Sequence, residues 1–203
     1  MCPGRCARYV GFTLIPLAFI AIGASIILLF PNGETEYLHE KHITREAVFL
    51  SGLWGSGFMV VAAALYIQAA AADRSCCWCT NPRVKMFVSI FYCLLAITGS
   101  GICFGASALG LVNGPLCLFN TTLANKTQVQ LWGYPFSNRK RSNTSAESYL
   151  YDHSQWAICE KPKNIVQWNM VLFSILMAIS GLESLLCIMQ IINGLLGCIF
   201  GRC

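Results

Sequence analysis

Four apolar runs, bare or almost bare of formal charge, leave this chain few ways to fold. They cover residues 9–30, 47–72, 86–112 and 166–200. The first three hold no Asp, Glu, Lys or Arg, and the fourth holds a single acid, Glu183. About 20 apolar residues at 1.5 Å each cross a hydrocarbon layer of about 30 Å. In lipid the backbone must satisfy its own polar groups, so each run is expected to be a helix. A composition of 56% hydrophobic and 11% charged residues excludes an ordinary soluble protein. The expected fold class is therefore an all-α integral membrane protein, a four-transmembrane-helix bundle. The net charge of +5 is scattered over connecting segments and builds no basic face. The partner it implies is the lipid bilayer, and no nucleic acid is expected. The first run is too long for a cleaved signal peptide, ends in Phe30-Pro31 and is followed by another span. It reads as a retained signal anchor.

The only long polar segment is 113–165. It carries three glycosylation sequons, Asn120-Thr121-Thr122, Asn125-Lys126-Thr127 and Asn143-Thr144-Ser145, and no other Asn-x-Ser/Thr occurs in the chain. Such clustering points to a segment that passes through the secretory lumen and faces outward. The same segment holds two cysteines, Cys117 and Cys159. In an oxidising compartment they are expected to pair, the alternative being two unrelated thiols. This orientation makes residues 1–8, 73–85 and 201–203 cytoplasmic, and makes 31–46 a small first and 113–165 a large second extracellular loop. Arg5, Arg8, Arg74, Arg83, Lys85 and Arg202 then lie in short inner segments, as the positive-inside rule requires. Arg139-Lys140-Arg141 lies outside, but too far from either span to direct insertion.

Several motifs now resemble one family of four-span proteins. Pro31-Asn32-Gly33-Glu34-Thr35 follows the first span, and Gly114-Pro115-Leu116-Cys117-Leu118 follows the third. Trp132-Gly133-Tyr134-Pro135-Phe136 lies in the large loop. Trp156, Cys159-Glu160, Pro162, Val166, Trp168-Asn169 and Leu172-Phe173-Ser174 lead into the fourth span, which closes on Ile192-Asn193-Gly194-Leu195-Leu196-Gly197. With Cys2 and Cys6-Ala7-Arg8 at the start, the pattern resembles the transmembrane 4 L6 family over the whole chain. The chain departs from that pattern at Asn169-Met170-Val171, which is no sequon, at Ser25 in place of an asparagine, and in the sparse inner-loop run Cys76-Cys77-Trp78-Cys79. The resemblance implies a tetraspan surface protein that associates with integrins, receptors or tetraspanins, and with further copies of itself, and that influences adhesion, motility or growth signalling.

Among residues able to carry chemistry, Glu183 stands first. An ionised acid in mid-membrane costs about 2.5–3.5 kcal/mol on insertion scales, so it should face the bundle with a hydrogen-bond partner. Ser25 and Gln68 are the candidate partners. The spacings Gly101-x-x-x-Gly105 and Ala106-x-x-x-Gly110, with Gly52, Gly55 and Gly57, allow close helix packing within the chain or between copies. Cys2, Cys6, Cys76, Cys77, Cys79, Cys198 and Cys203 crowd the inner boundary and are S-acylation candidates, with metal binding as the rival. Cys93, Cys103 and Cys187 lie within spans and are expected simply to pack. The histidines His39, His42 and His153 fall in outer loops without a nucleophile beside them. A membrane redox enzyme would need paired Cys-x-x-Cys motifs, and Cys76-x-x-Cys79 has no counterpart. No cofactor, no metal and no catalytic residue is assigned, and no enzyme is expected. The function read from the sequence is a tetraspan adaptor, with an auxiliary subunit of a membrane channel or transporter as the alternative.

Overall fold

A computed structural model of the chain describes residues 3–33, 43–71, 82–122, 128–136, 149–150 and 153–200. Among these, four helices are long and apolar enough to cross a membrane. They are α1 (Pro3–Leu28), α2 (Arg45–Ala71), α3 (Pro82–Asn113) and α4 (Ile165–Phe200). Both α1 and α3 begin on a proline, whose missing N–H is no loss at the first helical position and whose fixed φ suits it. Each therefore starts several residues ahead of its apolar run, because charge ends a lipid-facing stretch without ending a helix. At the far end of α3, Gly114 turns left-handed at φ 76°, and its amide donates to the Gly110 carbonyl at 3.1 Å. That geometry caps orphan carbonyls, and glycine adopts it without steric penalty.

The second span is irregular. A short turn, Arg45–Val48, precedes Leu50 at φ 49°, and helix resumes at Ser51–Leu53. Trp54–Met59 then forms a π-helical turn before the regular helix Val60–Ala71. Gly52, Gly55 and Gly57 fall in or beside that turn, where a missing Cβ eases the wider winding.

Contacts divide the chain into two compact units. One comprises Met1–Gly23, Ser51–Gly105 and Leu176–Cys203; the other comprises Ala24–Leu50 and Ala106–Ile175. In the first unit the core is built from Ala7, Val10, Leu14 and Ala18 of α1, Val60, Ala63, Ala64 and Ile67 of α2, Cys93 and Ala96 of α3 and Cys187 of α4. The i, i+3, i+4 spacing puts each set on one helix face. Large apolar side chains point the other way: Tyr9, Phe12, Phe87, Phe91, Leu185 and Met189 are all exposed. In water this would be inside out. In lipid, burying a large apolar side chain gains little, whereas small ones let backbones approach. The closest approach joins α2 to α3, where a Cβ placed on Gly55 would lie 2.3 Å from the Gly99 carbonyl oxygen. Gly101 and Gly105, by contrast, have nothing within 4 Å of an added Cβ. The small-residue seam of α3 in this unit runs through Gly99 and not through the Gly-x-x-x-Gly pair.

Within the same unit α3 and α4 are antiparallel neighbours. Gln190 Nε2 donates to Ser89 Oγ at 3.4 Å, and the hydroxyls of Ser100 and Ser184 meet at 2.8 Å. Contacts thus climb one helix as they descend the other.

The second unit holds a short antiparallel hairpin, β1 (Cys117–Thr122) and β2 (Gln128–Gly133), in the register Cys117 opposite Gly133 and Asn120 opposite Gln130. The four-helix membrane bundle stands as expected, and the large loop adds this hairpin to it. The free side of β1 is bridged at Leu118, whose amide donates to the Lys161 carbonyl while the Glu160 amide donates to the Leu118 carbonyl.

Candidate functional site

The large loop is closed by a disulfide between Cys117 and Cys159, spanning a sequence separation of 42. Around it Cys117, Phe136, Tyr149, Ile165 and Val166 form a small buried core, with Leu150 and Trp156 against it. The Phe136 and Tyr149 rings stack with centroids 4.3 Å apart. The Trp156 indole N–H donates to the Tyr149 carbonyl at 2.9 Å, and the Tyr149 hydroxyl donates to the Leu111 carbonyl of α3. Burial pushes the Tyr149 hydroxyl up to about 12 from its ordinary 10.0, because the phenolate would lose its water. Tyr149 and Trp156 are thus each held by a polar end as well as by packing.

Glu160, next to the disulfide, gathers both strands. Its Oε1 accepts from Asn120 Nδ2 of β1 and its Oε2 accepts from Gln130 Nε2 of β2 at 3.0 Å. Side-chain amides facing each other across the strands are thereby held by one carboxylate, a charge-assisted arrangement. Asn113 Nδ2 donates to Glu46 Oε1 at 2.9 Å, and the Arg45 amide donates to the Tyr134 hydroxyl at 3.2 Å, so the start of α2 joins the same unit. The opposite edge of β2 pairs with no strand among the described residues, and on it Val129 and Leu131 stand exposed. A cavity of about 300 Å³ opens beside the disulfide, bordered by Trp156, Glu160, Lys163 and Gln167.

Of the sequons, Asn120 lies exposed on β1, while Asn125 and Asn143 are outside the described residues. Of the S-acylation candidates, Cys6 is exposed on α1 and Cys198 falls within α4; Cys2, Cys76, Cys77, Cys79 and Cys203 are outside the described residues, as are His39 and His42.

Glu183 lies in the first unit, fully buried on α4. Its Oε2 accepts from the Ser56 hydroxyl, and its Oε1 has no hydrogen bond. Ser25 and Gln68 are therefore not its partners. Gln68 lies 12 residues beyond Ser56, about 18 Å along the helix at 1.5 Å per residue, and its Cγ packs where a side chain on Gly11 would go. Ser25, also buried, belongs to the other unit. Ser56 carried no distinguishing signal in the sequence beyond being a hydroxyl between Gly55 and Gly57. Ser56 is fully buried, four residues before Val60 of the core.

Four spanning helices with a disulfide-closed loop between the third and fourth define a multi-pass membrane protein of the tetraspan type. The family model for the L6 membrane protein matches residues 1–203, and the chain belongs to that family. It is 41% identical over 208 residues to human transmembrane 4 L6 family member 1, covering 100% of this chain and 96% of that one. Similarity to human member 4 is 38% over 208 residues, with 100% and 94% covered. Similarity to human member 5 is 36% over 205 residues, with 100% and 96% covered. No solved structure matches the chain.

Proposed function

We propose that this L6-family protein is a non-enzymatic organiser of the cell surface, which gathers integrins, receptors or tetraspanins laterally and so influences adhesion, motility or growth signalling. In this reading both termini are cytoplasmic, the protein resides in the plasma membrane, and the 113–165 loop faces out with glycans on its sequons. Palmitate on the inner-boundary cysteines would add anchoring of about 0.8 kcal/mol per buried CH₂. The observation that carries the reading is the closed cap, whose β2 pairs with no second strand among the described residues and carries exposed Val129 and Leu131. An open strand edge with alternating apolar side chains is a surface that a partner's strand can extend. The rival, an auxiliary subunit that presses Glu183 against a channel helix, is weaker, because Glu183 is fully buried inside its own unit.

The test is proximity labelling in cells from an enzyme fused to the cap, comparing wild type with a Val129→Asp/Leu131→Asp variant. The expected result is a varied set of surface receptors that shrinks in the variant, while surface level and the disulfide remain. An unchanged set would remove the β2 edge from the proposal. A single stoichiometric channel partner would replace the adaptor with the rival.

A further inference from the structure

Two cysteines expected merely to fill space are brought together instead. Cys93 on α3 and Cys187 on α4 are both fully buried in the core of the first unit, and neither is in a disulfide. The Cys187 thiol is hydrogen-bonded to the Cys93 sulfur, which is also hydrogen-bonded to the Ser89 hydroxyl. Ser89 in turn accepts from Gln190, so the pair sits within a polar chain crossing between α3 and α4. Glu183 lies four residues before Cys187, one turn away on the same face.

A disulfide needs Cα atoms about 4.4–6.8 Å apart, closer than most helix pairs come. Small residues place α3 and α4 in contact on both sides of the pair. Toward the end of α4, a Cβ on Gly194 would lie 3.0 Å from Ile90 Cγ1 and 3.8 Å from the Met86 carbonyl. In the other direction the Ser100 and Ser184 hydroxyls touch at 2.8 Å. The two cysteines thus share one buried core and lie between two contacts of α3 with α4.

We propose that Cys93 and Cys187 form an intramembrane redox site, a dithiol that a hydroperoxide converts into a disulfide joining α3 to α4. The Cys93 sulfur attacks the terminal oxygen of the hydroperoxide and the O–O bond breaks. The alcohol leaves with the thiol proton, and Cys93 becomes a sulfenic acid. The Cys187 sulfur then attacks the Cys93 sulfur. An S–S bond forms, the S–O bond breaks, and hydroxide departs with the Cys187 proton as water. Two thiols lose two electrons and two protons, and the hydroperoxide becomes alcohol and water. Because both sulfurs are sealed, the reagent enters only when the helices part locally, and the reaction runs at the rate of that opening. The oxidised pair would pin α3 and α4 in register, whereas the reduced pair leaves only hydrogen bonds between them.

The experiment uses the full-length protein in lipid vesicles, treated with hydrogen peroxide or with cumene hydroperoxide. Free thiols are blocked in denaturant with a light maleimide, disulfides are reduced, and the released thiols take a heavy maleimide for mass spectrometry. The expected result is heavy label on the Cys93 and Cys187 peptides together and in equal amount. In Cys93→Ala the Cys187 thiol should stay light, whereas in Cys187→Ala the Cys93 sulfur should stop at the sulfenic acid and be trapped as a dimedone adduct. Faster reaction with cumene hydroperoxide would identify a membrane-dissolved oxidant, and faster reaction with hydrogen peroxide an aqueous one. Light label on both peptides after either treatment, or heavy label paired with a different cysteine, would overturn the proposal. Serine variants provide a second, isosteric pair should either alanine variant fail to fold.

Discussion

Replacing glycine by alanine at two places on α3 should have opposite effects, which makes a sharp test of how the first unit packs. At Gly99 the added methyl would lie 2.6 Å from the Gly55 carbonyl oxygen, 2.8 Å from Met59 Sδ and 3.0 Å from Gly55 Cα. Met59 can swing away, but the Gly55 backbone cannot, so α2 and α3 must part by several tenths of an ångström or more. Overpacking of this kind costs about 1–3 kcal/mol. Alanine regains about 0.5–1 kcal/mol over glycine in a helix, which leaves a net loss of up to about 2.5 kcal/mol. For a chain of this size that is a fall of up to roughly 10 °C in melting temperature. At Gly101 and Gly105 the added methyl meets nothing within 4 Å. There Gly→Ala should be neutral or stabilising by up to about 1 kcal/mol. The assay is thermal unfolding of the purified protein in one detergent, followed by the soluble fraction surviving on gel filtration. Equal losses at Gly99 and Gly101 would refute the reasoning, because the exposed face would then be doing the packing, as in a dimer through the Gly-x-x-x-Gly pair. Gly55→Ala combined with Gly99→Ala should lose less than the two single losses together, since one separation of the helices relieves both clashes.

Three further perturbations follow from individual contacts. Ser56→Ala should destabilise by about 1–3 kcal/mol because it strands a buried carboxyl, whereas Ser56→Ala with Glu183→Met should recover most of that loss in the same melting assay. Replacing Cys117 and Cys159 by serine should remove about 4 kcal/mol of loop-closure stabilisation for a separation of 42 residues, seen as protease cleavage within the cap before the helices melt. Tyr149 has a folded pKa of about 12 against an ordinary 10.0, so its contribution is fully present below pH 10 and is lost as pH rises through 12. Tyrosinate absorbance should show one hydroxyl titrating late, and Tyr149→Phe should abolish that late step.

Much of this architecture could be read from the chain alone. Four long apolar runs force four helices, because such runs must satisfy their own backbone in lipid, and Cys117 and Cys159 were the only thiols in the large loop and are joined as expected. The hairpin was missed although Gln128-Val129-Gln130-Leu131 alternates polar and apolar residues in the period of a strand. That signal is short, and its partner Leu118-Phe119-Asn120 does not alternate, so pairing became visible only in the fold. Glu183 was recognisable as a buried acid, yet its partner was not. Ser56 lies four residues before Val60 of the core, but only the packed helices show that the hydroxyl meets this acid. The same limit applies to glycines: of those the spacing favoured, Gly55, Gly57 and Gly110 pack closely, Gly101 and Gly105 do not, and Gly99 stood outside the pattern.

Sequence by itself therefore determined how many helices this protein has, which loop is closed, and membership in a four-span class, since those follow from solvent and from covalent pairing. Which faces of those helices meet was settled only in three dimensions. In lipid, apolar residues are equally at home inside and out, so hydrophobicity carries no facing information. Orientation is left to steric fit between small residues and to a few buried polar contacts such as Ser56 with Glu183 and Cys93 with Cys187.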